Sequence, residues 1–99
     1  MMKHSVYHEL EPARAKAMLD RALDTYRTHY AEHGVETAWI DERTAEIGFE
    51  LTGNKVDGRI TVCADCFDID LQLPWILRPF SRRIAHTFEA ELQRWIERA

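Results

Sequence analysis

Residues 44–73 read TAEIGFELTGNKVDGRITVCADCFDIDLQL, and this stretch decides the fold class. Apolar and polar side chains alternate through it with a period of two. Ile47, Phe49 and Leu51 point one way, and Glu46, Gly48 and Glu50 the other. After the turn residues Thr52-Gly53-Asn54, segment 55–64 sets Val56, Gly58, Ile60, Val62 and Ala64 against Lys55, Asp57, Arg59, Thr61 and Cys63. Past a short turn at Asp65, Phe67, Ile69, Leu71 and Leu73 alternate with Asp68, Asp70 and Gln72. Successive side chains of a strand leave opposite faces, so this pattern means one buried face and one wet face. An antiparallel meander has that habit, whereas a parallel sheet covered on both sides reads as unbroken apolar runs. Gly58 falls in the apolar register, where its missing side chain leaves room for a helix or an aromatic ring.

On the N-terminal side, residues 37–40 make a further strand, with Asp41-Glu42-Arg43 as its turn. Before it lies an amphipathic helix. It starts near Pro12, whose fixed φ suits a first helical turn, and runs to about His33. Gly34 stops it, as the residue best able to adopt a left-handed cap. Its apolar side gathers Ala15, Met18, Leu19, Ala22, Tyr26 and Tyr30. After the meander, Pro74 ends the last strand and a final helix begins around residues 76–79. Leu77, Phe80, Ile84, Phe88, Leu92 and Trp95 form its stripe. The expected fold is α+β: a four-stranded antiparallel meander with both helices packed on one sheet face, in a single domain. Val6 and Tyr7 are a candidate fifth, N-terminal edge strand.

Ninety-nine residues support one core, and large active-site clefts are hard to build at this length. No apolar run approaches the ~20 residues a membrane span needs. Residues 1–5 have no apolar signal-like stretch, and two cysteines without one suggest a reducing, cytoplasmic compartment. The net charge of −4 is uneven: residues 36–73 carry 3 bases against 9 acids. The wet sheet face would show Glu46, Glu50, Asp57, Asp68 and Asp70, which opposes phosphate neutralisation and excludes a nucleic-acid platform.

Several constellations carry candidate chemistry. Cys63-Ala64-Asp65-Cys66 has CxxC spacing, used by redox thiols and zinc knuckles. Here acidic neighbours raise thiol pKa values, and a zinc site would need two more ligands, so the favoured reading is two hairpin cysteines. His29 and His33 lie four apart on the first helix, and Glu91 falls on the apolar side of the last, so a His-His-Glu metal or catalytic cluster is geometrically possible; the favoured reading is last-turn histidines interacting with the helix dipole, with Glu91 reaching solvent or pairing with one of them. Arg78, Arg82 and Arg83 open the final helix against its dipole. They either meet an anionic partner or, as favoured, pair with Asp68 and Asp70. Trp95 reads as core. Trp39 falls on the acidic face by alternation, and Trp75 at a strand–helix junction. Each is either an interface aromatic or edge packing under the N-terminal segment. No G-x-S-x-G, phosphate-binding glycine loop, HExxH or supported carboxylate pair is present, so no enzymatic activity and no cofactor are expected.

Gly53, the run Val56-Asp57-Gly58-Arg59-Ile60-Thr61-Val62, Leu71-x-Leu73 and Leu77-x-Pro79-Phe80 followed by Ile84 together resemble the polyhydroxyalkanoic acid (PHA) system family. These are small bacterial proteins encoded among polyester synthesis and utilisation genes. The resemblance spans about residues 8–95, and the Cys63/Cys66 pair departs from it. It implies a non-enzymatic, granule-associated or regulatory protein whose partners are the polyester granule surface or granule proteins. Trp39, Trp75, Phe80 and Phe88 would supply the apolar contact. Two further readings remain open: an apolar-ligand module with a pocket lined by Phe49, Ile60, Phe80 and Phe88, and a homodimer joined through exposed aromatics.

Overall fold

The computed structural model describes residues 2–99. It contains β1 (Met2–Tyr7), α1 (Pro12–His29), a 3-10 turn (Ala31–His33), β2 (Glu36–Trp39), β3 (Thr44–Leu51), β4 (Asn54–Val62) and β5 (Cys66–Gln72). A 3-10 segment (Trp75–Phe80) then leads into α2 (Ser81–Arg98). All strand pairings are antiparallel, in the order β1-β5-β4-β3-β2. The α+β meander is therefore as expected from its alternation, with the N-terminal edge strand present. That strand is longer than Val6 and Tyr7, because its backbone pairs β5 from Met2↔Leu71 to Tyr7↔Cys66.

The alternation places the core. Val6, Ala45, Ile47, Val56, Ile60, Val62, Phe67, Ile69 and Leu71 are buried on one sheet face, with Ala15, Met18, Leu19 and Leu23 of α1 and Ile84 and Leu92 of α2. Both helices lie on that face. Lys16 and Asp20 of α1 sit over Trp39 of β2, and Glu89 of α2 meets His4 of β1. The opposite sheet face is uncovered.

Several boundaries differ from expectation: β2 and β4 each begin one residue early, at Glu36 and Asn54, and β2 ends at Trp39. The first helix ends at His29, and a separate 3-10 turn carries the chain to Gly34, whose φ of 62° makes the left-handed stop. β4 ends at Val62 and β5 begins at Cys66, so Ala64 is an exposed loop residue and not a core one. The final helix begins only at Ser81, because Pro79 has no N–H to donate and the preceding residues take the tighter 3-10 form. Gly58 leaves room as expected, but the space is taken by Leu71 and the Asp70 carbonyl of neighbouring β5, not by a helix or a ring.

Candidate functional site

The segment joining β5 to α2 brings exposed aromatics and unpaired cations together. Pro74 directs the chain out of the sheet, and of the six 3-10 residues only Leu77 is buried. Trp75 is 77% exposed, Ile76 50% and Phe80 47%. Phe80, expected on the buried stripe, turns outward because it lies before the first turn of α2, outside the helical period. Arg78, Arg82 and Arg83 are exposed in the same nine residues. The expected pairing with Asp68 and Asp70 does not form: those carboxylates stand on the uncovered sheet face, and none of the three arginines makes an ion pair among the described residues. Arg82 and Arg83 also occupy the first turn of α2, which holds no acidic residue. Cations there oppose the helix dipole, at about 0.3–1 kcal/mol each when exposed. A shallow notch lined by Met2, Leu73, Arg78 and Ser81 borders the segment.

The other aromatic candidates are engaged elsewhere. Trp39 was expected on the acidic face, but pairs Ala45 across the β2–β3 ladder and so shares the helix-covered face. Counting alternation through the irregular Ile40–Arg43 turn puts it in the wrong register; only the ladder reveals the side. Its indole N–H donates to Asp20 Oδ1 at 2.9 Å, and Lys16 Nζ stands 4.9 Å from its ring centroid. Phe88 is half-buried and meets Phe49 with ring centroids 6.2 Å apart, while Ile60 is fully buried. Phe49, Ile60 and Phe88 thus join the core region, and Phe80 does not stand with them.

His29, His33 and Glu91 do not form a metal-holding group among the described residues. Glu91 Oε2 accepts the Tyr26 hydroxyl at 3.2 Å, tying the two helices together, and burial followed by the Glu91 charge pushes the Tyr26 pKa up. His33 lies 3.2 Å through Nδ1 from the Glu50 carbonyl, and His29 is exposed.

The two cysteines do come together, at the far end of β5. The Cys63 N–H donates to the Cys66 carbonyl at 2.9 Å, closing the hairpin around Ala64 and Asp65. Cys66 pairs Tyr7 and Phe67 pairs Val6, so alternation puts Cys66 and Asp68 together on the uncovered face. Both thiols point at Asp68: Cys63 Sγ is 3.3 Å from Oδ2 and Cys66 Sγ is 3.4 Å from Oδ1. The Ser5 hydroxyl of β1 donates to Oδ1 at 2.7 Å. Burial, then the Asp68 hydrogen bond and charge, pushes the Cys66 thiol up to about 12 and raises Cys63. The Ser5 and Cys63 hydrogen bonds hold the Asp68 carboxyl below its usual range. Sequence reasoning singled out the cysteines but not Ser5, which is 58 residues or more away in the chain and arrives only through strand pairing. Asp68, close behind Cys66 in the chain, is among the acidic neighbours expected to raise the thiols, and it does.

Among the described residues no helix is long and apolar enough to cross a membrane. Comparison with curated proteins and with solved structures returns no match. The family described as "Putative polyhydroxyalkanoic acid system protein" matches residues 3–96, from β1 to the last turn of α2. The chain belongs to this polyhydroxyalkanoic acid system protein family.

Proposed function

We propose that this chain is a non-enzymatic, granule-associated protein of the polyhydroxyalkanoate system, working in the cytoplasm at the polyester surface. The observation that carries the reading is the exposed Trp75, Ile76 and Phe80 beside three unpaired arginines in one short segment. The chemistry of the two surfaces is complementary. An aliphatic polyester presents methylene groups and ester carbonyls, so it is apolar and only accepts hydrogen bonds. Arginine and the tryptophan indole only donate, and the Trp75 indole makes no hydrogen bond among the described residues. Burying large apolar side chains favours adsorption by about 1.5–3 kcal/mol each. Guanidinium groups then satisfy carbonyls that the contact would strip of water. The family membership supports the same setting. A non-enzymatic role is supported by thiols held protonated, unsuited to nucleophilic or redox work, and by the dispersal of His29, His33 and Glu91.

Co-sedimentation with washed granules, with polystyrene beads as an ester-free control, tests this. Preferential binding to granules is expected, falling at least tenfold with Trp75→Ala and clearly with Arg78, Arg82 and Arg83 all changed to Gln. Trp39→Phe, beneath α1, leaves binding unchanged. Equal affinity for both particles overturns the reading, as does concentration-dependent dimerisation that vanishes with Trp75→Ala while granule binding persists.

A further inference from the structure

We propose that Cys63, Cys66 and Asp68 form a binding site for one thiophilic divalent cation of the Zn²⁺ class, with its fourth position open to solvent. The candidate ligand atoms all lie within 4.8 Å of one another. Tetrahedral zinc with sulfur at about 2.3 Å and oxygen at about 2.0 Å sets adjacent sulfur and oxygen about 3.5 Å apart. Cys63 Sγ and Asp68 Oδ2, 3.3 Å apart, already make one such edge; Cys66 Sγ stands 3.4 Å from the other carboxylate oxygen, Oδ1, and one ligand atom from each of the three residues lies within 4.8 Å of the others.

The support for the ligands is built in as well. The hairpin hydrogen bond from Cys63 to Cys66 fixes the relative position of the two backbones. Ser5 holds Oδ1 of Asp68, leaving Oδ2 to face a cation, the arrangement by which outer groups orient metal ligands. Asp65, in the hairpin loop, adds negative charge nearby. Two thiolates with a carboxylate favour zinc over hard cations, which prefer all-oxygen shells. Loading releases two protons to solvent, one from each thiol, and the loaded site carries a net charge of −1. Asp68 is exposed and Cys63 half-exposed, so the fourth position belongs to water or an exchangeable ligand. Three protein ligands with one open position is the pattern of accessible zinc sites; structural ones close all four.

Cobalt(II) titration of the intact protein, under a phosphine reductant, tests the site. Expected is one equivalent bound, with a thiolate-to-cobalt charge-transfer band in the near ultraviolet and the intense visible bands of tetrahedral cobalt, both bleached by one equivalent of zinc. Cys63→Ser and Cys66→Ser each remove most of the charge-transfer band. Asp68→Asn keeps thiolate bands but weakens cobalt binding at least tenfold, and Ser5→Ala weakens it by about tenfold. Far-ultraviolet circular dichroism confirms that each variant is folded, and the exposed Asp68 variant serves where a cysteine variant is not. The proposal is overturned by the absence of a band at one equivalent, by a band that survives both cysteine changes, or by unchanged affinity in Asp68→Asn.

Discussion

Glu89 shows how one surface carboxylate ties an edge strand to a helix. Its Oε1 lies 2.8 Å from His4 Nε2 of β1, and its Oε2 accepts the Gln93 amide at 2.8 Å one turn along α2. Partial burial pushes the Glu89 carboxyl up, but the hydrogen bonds from Gln93 and His4 outweigh it and hold the group below its usual range. A depressed folded-state value means that the carboxylate form stabilises the fold. The contribution is full above the unfolded value near 4.5 and is lost as pH falls through the folded one. Glu89→Gln is therefore expected to lower stability by less than about 1 kcal/mol near neutral pH, the range for half-exposed pairs. The difference from the parent should shrink below about pH 4. Urea midpoints at pH 7 and pH 3.5 check this, and an undiminished difference at the lower pH would sink the ionic account. Trp39 makes the same kind of residue-scale tie at the opposite edge of the sheet, through Asp20 and Lys16.

The elements follow from local pattern, and their joints show where pattern runs out. β3 and β4 pair up to Leu51↔Asn54, so their turn is the two residues Thr52 and Gly53, with φ of 49° and 79°. Two successive positive values define the hairpin turn that prefers Asn-Gly, and a β-branched threonine is strained there. Thr52→Asn is expected to stabilise by up to about 1 kcal/mol. Gly58→Ala has the opposite sign. Its new Cβ would strike Leu71 Cδ2 and the Asp70 carbonyl oxygen, and because backbone does not yield as a side chain does, about 1–3 kcal/mol is lost. Thermal or urea unfolding of the two variants should move the midpoint in opposite directions, and a neutral Gly58→Ala would mean that β5 shifts freely. The period-two run of residues 44–73 made the sheet and its buried face legible, and the 3.6-residue stripes made both helices legible. What escaped was set by partners distant in sequence or by irregular joints. The side of Trp39 depends on a turn that breaks the count. The outward aim of Phe80 depends on Pro79 delaying α2. The Ser5–Asp68 bond exists only because β1 crosses to the edge beside β5.

At the scale of the molecule, β5 separates two surfaces. Cys66 begins the strand and Gln72 ends it, a rise of about 20 Å at roughly 3.3 Å per residue, and Trp75 lies three residues further on. The arginines flank Trp75 at one end, and Asp68 stands with the two cysteines at the other. The acidic sheet face is held together internally by weak pairs, Glu46 with Arg59 at 3.7 Å and Glu36 with Lys55 at 3.8 Å, and it offers little to an apolar surface. A protein adsorbed through Trp75, Ile76 and Phe80 would keep the Cys63–Cys66 hairpin in water. Sites this far apart without a shared partner are expected to act additively. Granule-bound protein should therefore take up cobalt with the affinity of free protein, and zinc-loaded protein should sediment with granules as metal-free protein does, each within about threefold. Reciprocity makes the two measurements one test, since any effect of metal on granule affinity must appear as an equal effect of granules on metal affinity. Blocked cobalt uptake on granules would place the hairpin, not the 3-10 segment, against the polyester. It would also predict that Trp75→Ala leaves adsorption intact while Ala64→Lys, at an exposed position beside the thiols, weakens it.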